Sequence, residues 1–245
     1  MNGFWAVCKR ELKGYFATPV AYVFLVIFLF GAGYLTFSKG KFFDARQADM
    51  RLFFEYLPLL FILMVPATAM RLWSEERRSG SIELLLTLPI MVRQAVLGKF
   101  VAAWIFLGLA LALTFPMPLT LAYLGAPDWG TVIAGYLGSF LMAGAYLAVG
   151  AFFSALSKNQ VISFILAAVA CAVLLYLGMP STLNYLTGNG IPSGMVSLIG
   201  NLSFQTHFDS LQRGVLDLRD IFYFLFMIAG WNLAGTFLLE ERKAA

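Results

Sequence analysis

Glu75-Glu76-Arg77-Arg78, with Glu83 shortly after, is the densest cluster of titratable side chains in a chain that is otherwise 60% hydrophobic. Paired carboxylates beside guanidinium groups resemble the acid and base groups of some intramembrane proteases. That chemistry also draws on histidines within the membrane, and the chain has one histidine, His207. One histidine rules out HExxH and any histidine metal cluster. There is no GxSxG elbow for a serine nucleophile and no GxxxxGK[ST] cradle for nucleotide phosphates. His207 reads as a polar residue of a surface helix. No catalytic, metal or cofactor-binding residue is therefore expected in this chain. What remains for the cluster is recognition, with charges and a shape offered to a partner.

The surroundings of the cluster fit that role. Arg71–Lys99 separates two long apolar runs with far more chain than a turn requires. Glu75–Arg78 should end one helix beyond the bilayer, and Gly80 can adopt the geometry that redirects the chain. Ser79 and Ser81 are candidate N-caps. Ile82, Leu85 and Leu86 then share one face of a short helix, with Glu83 on another face and Pro89 as its stop. A short helix lying flat below a membrane suits a groove in a soluble partner. The same pattern suits an interfacial helix that touches only lipid headgroups, and the pattern alone does not choose.

Composition places these elements in a membrane. Charged residues make up 12% of the 245, and mean hydropathy is +0.81. A soluble domain carries about a quarter charged residues. The predicted fold class is an all-α polytopic membrane protein: a single transmembrane domain over 1–245, with room for six spans and no separate soluble domain. The spans are predicted at Pro19–Phe37, Leu52–Trp73, Ala95–Tyr123, Thr131–Leu156, Gln160–Met179 and Ile221–Leu239. Pro116 and Pro118 should kink or break the third. Gly135, Gly138, Gly144 and Gly150 should allow close packing of the fourth. Residues 1–17 form an amphipathic helix. Phe4, Trp5, Cys8, Leu12, Tyr15 and Phe16 share one arc, with Lys9, Arg10 and Lys13 opposite, which is the pattern of an interfacial helix. No signal peptide is expected, so the first span should act as an uncleaved anchor. Cys8 and Cys171 offer no disulfide framework.

Of the 17 Lys and Arg, eleven fall on one side and six on the other. The richer side, with both termini and the 74–92 region, is expected in the cytoplasm. On the outer face, Ser38–Arg51 reads as a short solvated or interfacial helix. Segment 180–218 is too long for a turn. Its first half, PSTLNYLTGNGIPSG, is rich in turn formers. Its second half places Phe204, Phe208, Leu211 and Val215 on one helical stripe, read as a re-entrant or surface helix that caps the outer mouth. The middles of the spans lack Asp, Glu, Lys and Arg, which argues against an ion-driven carrier. Asn232 is the most polar deep group and would serve to hold helices together.

EERRSGSIELLLTLPI, followed by Gly98-Lys99 at the opening of the third span, resembles the coupling-helix region of ABC-2 type transporter permeases. Ser81 stands where that family usually has threonine. LSFQTHFDSLQRGVLDLRDIFYF (202–224) resembles the subgroup that includes the gliding-motility permease GldF, with the nitrous-oxide-reductase maturation permease NosY more distant. The resemblance implies a permease subunit of an ATP-binding cassette transporter in a bacterial inner membrane. It would pair with a second permease subunit, as a homodimer, and dock on two copies of a soluble ATPase that bind ATP and Mg. Glu75, Glu76, Arg77, Gly80, Ser81, Ile82, Glu83, Leu84 and Leu85 would carry the docking. Lys158, in the Ser157–Asn159 loop, would make a second, smaller contact. A membrane-anchored extracytoplasmic subunit is a further implied partner; nucleic acid is not. An alternative is a mechanical subunit that passes ATP-driven motion to an outer partner without moving a substrate.

Overall fold

The computed structural model describes residues 3–39, 49–82, 90–125 and 127–244. Among these residues every regular element is helical. Helix α1 (Gly3–Ala17) precedes α2 (Pro19–Tyr34), which continues as a π-helical turn over Leu35–Lys39. Helix α3 (Arg51–Ala69) runs into α4 (Arg71–Ser79). Then come α5 (Val92–Ala112), α6 (Pro116–Leu124) and α7 (Trp129–Leu156). The chain ends with α8 (Gln160–Tyr176), α9 (Pro180–Gly188), α10 (Ser193–Asn201), α11 (Phe204–Gln212) and α12 (Leu218–Ala244).

Five runs are long and apolar enough to cross a membrane: Pro19–Lys39, Arg51–Ser79, Val92–Leu124, Trp129–Leu156 and Leu218–Glu241. The fifth expected span, Gln160–Met179, differs. Helix α8 ends at Tyr176, and α9 leaves it at 77°. Seventeen residues at 1.5 Å each give about 25 Å, short of a ~30 Å hydrocarbon core. The third span breaks where its prolines predict, with Pro116 as the first residue of α6. The second carries Pro58 and Pro66 inside α3.

Helix α7 is the centre of the bundle, with α3, α5, α8, α11 and α12 packed around it. Its glycines supply the close approaches. A Cβ would stand 2.3 Å from the Phe54 ring at Gly135 and 2.8 Å from Leu211 at Gly138. At Gly144 it would stand 2.7 Å from Trp104, and at Gly150 2.5 Å from Ala69.

Helix α11 is buried in this bundle rather than laid on its surface. Phe204, Phe208 and Leu211 are fully buried, as the stripe predicts. Val215 is 57% exposed, because Gly214 at φ 85° ends the helical path before it. Leu211 packs at Gly138, and the Phe204 ring meets Tyr146 edge-on at 4.8 Å. Ser203 donates to Leu175 O at 2.8 Å, which ties the start of α11 to the end of α8. The expected turn region 180–194 is also corrected. Pro180 opens α9, and the turn is confined to Asn189–Pro192, with Gly190 at φ 79°. Of Ser38–Arg51, residues 40–48 lie outside the described residues, and Asp49 and Met50 are not helical.

Candidate coupling site

Helix α4 ends the second apolar run and is held in place by α7. The Ser154 hydroxyl donates to Met70 O at 2.8 Å and accepts from Trp73 N at 3.0 Å and Ser74 N at 3.1 Å. One serine thus bridges the backbone at the junction of α3 and α4. Arg77 Nη1 donates to Ala155 O at 2.6 Å, which brings the charge cluster against the Ser157–Asn159 loop. Gly80 then caps α4 at φ 74°, ψ −2°, a left-handed geometry that glycine adopts without a Cβ clash. Ser79 is the last residue of α4 and not an N-cap; its hydroxyl lies 2.9 Å from that of Ser81.

The cluster continues into a charge network that joins three helices. Lys99 lies seven residues into α5, with its side chain 3% exposed. Its ammonium is 2.8 Å from Glu76 Oε1 of α4 and 3.3 Å from Glu11 Oε1 of α1. Arg10 lies 2.8 Å from Glu11 and 3.6 Å from Glu76. The Trp73 ring covers the lysine, its centroid 5.2 Å from Nζ. Burial pushes the Glu11 carboxyl up, but Lys99 and Arg10 outweigh that and hold it below the ordinary value. The carboxylate therefore stays ionised where the network needs it. Glu76 Oε2 is buried with no hydrogen-bond partner among the described residues.

Helix α1 is seated by shape as well as charge. Val7 and Cys8 are buried, and a Cβ on Gly98 would stand 3.0 Å from Phe4 O and from Val7. Tyr15 stacks on Phe106 at 4.9 Å. Trp5, at 61% exposure, and Phe16 remain open. The apolar arc is therefore divided, one edge on α5 and the other facing out. Arg10 is not on a purely solvated face but turns toward α4.

The sequence-derived residues divide accordingly. Glu76 and Arg77 are structural anchors, to Lys99 and Ala155. Glu75 is exposed and pairs with Arg71 at 3.7 Å. Gly80, Ser81 and Ile82 continue directly from α4, with Ile82 touching the core. Glu83, Leu84 and Leu85 lie outside the described residues. Lys158 is exposed beside the Arg77–Ala155 contact. The residues missed from sequence are Glu11, Lys99 and Ser154. A lysine set among apolar residues at the opening of the third span is the available signal, since such a charge needs a partner.

On the opposite side, His207 has partners on both ring nitrogens. Nδ1 is 2.6 Å from Asp220 Oδ1, and Nε2 is 2.9 Å from Asn201 O. The Ser210 hydroxyl meets the Asp220 carboxylate and the His207 backbone carbonyl, not the imidazole, and Tyr223 stacks on the ring at 3.9 Å. The serine is thus not activated by the histidine. The group fastens α11 to α12. Deep in α12, the Asn232 amide donates to Ile228 O of its own helix at 2.8 Å rather than bridging helices.

Long apolar helices, a bent pair at α8 and α9, a buried α11 and a Gly80 elbow wired to two neighbouring helices together describe a multi-pass helical bundle. The model of the ABC-2 family transporter proteins matches residues 5–240. The chain belongs to the ABC-2 transporter family. The match covers nearly all of this ABC-2 protein, from α1 to α12, and makes it a multi-pass membrane component of an ABC transporter. No curated protein is significantly similar to it.

Proposed function

We propose that this ABC-2 protein is the permease subunit that couples a separate ATPase to movement across the bacterial inner membrane. Two copies pair, and each docks one ATPase subunit through residues 75–85, with Lys158 as a second contact. ATP and Mg are held by the ATPase, and both termini face the cytoplasm. The resemblance of 202–224 favours the gliding-motility and NosY-like subgroup and, with it, an extracytoplasmic accessory subunit.

The observation that supports this reading is the Glu76–Lys99 pair at 2.8 Å. A docking segment can drive a span only if its base is stiffly joined to that span. Glu76 lies four residues before the Gly80 turn, and Lys99 lies inside α5. A push on the elbow therefore reaches α5 through a buried ion pair and reaches α1 through Glu11. The mechanism is tilting of α5 relative to α7 as the ATPase dimer closes. The test is ATP turnover by the reconstituted complex. Gly80→Pro and Glu83→Arg should lower transport-linked turnover while the subunit still inserts. Unchanged turnover in both variants would contradict the docking role.

A further inference from the structure

A cavity of about 480 Å³ opens on the face opposite the elbow, where the starts of α3 and α7 meet the end of α11. Its volume lies within the ~300–1,000 Å³ range of small-molecule sites. Its polar lining is Asp49, Arg51, Asp128, Thr131, Gln212 and Arg213. The charges are mixed, and both arginines also act on the nearby, partly buried Asp209 carboxylate, which accepts from the Gln205 and Gln212 amides. Among the described residues neither Arg51 nor Arg213 forms an ion pair, and the Arg51 guanidinium leaves even the nearby Glu55 unpaired. The carboxylates are turned to local work. Asp49 Oδ1 accepts from Arg51 N at 3.0 Å. Asp128 accepts from Gly130 N and from the Thr131 hydroxyl, both at 2.9 Å, and these bonds hold its carboxyl below the usual range. Gln212 is 5% exposed, and its amide oxygen has no hydrogen-bond partner among the described residues.

Two unpaired guanidiniums can grip one oxyanion through parallel N–H donors. Two ionised carboxylates across the same space cancel the field that would hold a simple anion strongly. They offer a place for a cation instead. We propose that this cavity binds a zwitterionic group, with a phosphoryl or carboxylate anion on Arg51 and Arg213 and an ammonium on Asp49 and Asp128. The group can reach it as a free molecule or as a lipid headgroup. The inference rests on the functional reading only in placing the cavity on the outer face. Binding is measured without ATP turnover, so failure of one reading is separable from failure of the other.

The test uses the full-length protein in mild detergent. Phosphoethanolamine is titrated calorimetrically, and lipid retained from phosphatidylethanolamine-containing and phosphatidylglycerol-containing nanodiscs is read by native mass spectrometry. Saturable phosphoethanolamine binding marks a free ligand; selective retention of phosphatidylethanolamine marks a lipid. Either result should fall at least tenfold in R51Q/R213Q and stay unchanged in R219Q, whose arginine lies outside the cavity. Thr131→Trp, which fills the space and leaves both arginines in place, should lose binding equally. Absence of binding from both sources, or wild-type binding in R51Q/R213Q and Thr131→Trp, would overturn the proposal.

Discussion

Replacing Lys99 with methionine keeps the length and apolar stem of the side chain and removes its charge. Glu76 and Glu11 then lose their nearest cation, at 2.8 and 3.3 Å. Removing one partner of a buried pair costs about 3–5 kcal/mol, most of it from stranding the other charge. Two features place the cost near about 3 kcal/mol, the lower end of that range. The Glu76 and Glu11 side chains keep 18% and 21% exposure, and Arg10 remains within 3.6 Å of both. Glu76→Gln on the Lys99→Met background removes the stranded carboxylate. The double variant should therefore be less destabilised than the sum of the single effects, by about 1–2 kcal/mol, within the range of coupled neighbours. The assay is denaturant-induced unfolding in mild detergent, followed by tryptophan fluorescence, with Trp73 as the neighbouring reporter. Additivity within about 0.5 kcal/mol would mean that the two residues do not act as a pair, and the lever argument would fail.

Gly98→Val should push α1 away from α5, because even a Cβ would stand 3.0 Å from Phe4 O and Val7. A loss of about 1–3 kcal/mol is expected in the same unfolding assay, and turnover of the assembled complex should fall; a neutral result in both would show that α1 is not firmly seated. For orientation, a cysteine at Ser79 should resist an impermeant thiol reagent added outside intact cells, and one at Gly190 should react. The opposite pattern would invert the molecule and place the elbow outside.

Patterns local to one helix were legible in the sequence. The apolar runs, the break at Pro116, the packing glycines of α7 and the Phe204–Phe208–Leu211 stripe all follow from spacing within one segment. What escaped depends on distant residues meeting. Lys99 and Glu11 stand 88 positions apart, and Ser154 is about 80 from the backbone it bridges. Nothing in the neighbourhood of either residue states that pairing. The bend at Tyr176 was missed because Pro180 and the polar residues after it suit a turn and a helix start equally. At the candidate site, Arg77 stands out in the sequence for its charge, and one of its contacts is a carbonyl of α7 78 residues away, which no local pattern announces. The tip of the elbow, Glu83–Leu85, stays an expectation from the motif.

The most direct measurement is the composition of the complex purified in mild detergent through a tag on this protein. An ATP-binding subunit in equal amount, lost when Glu83 is changed to Arg, is the expected result. Recovery of the protein alone, with transport intact in pure lipid vesicles, would contradict the account.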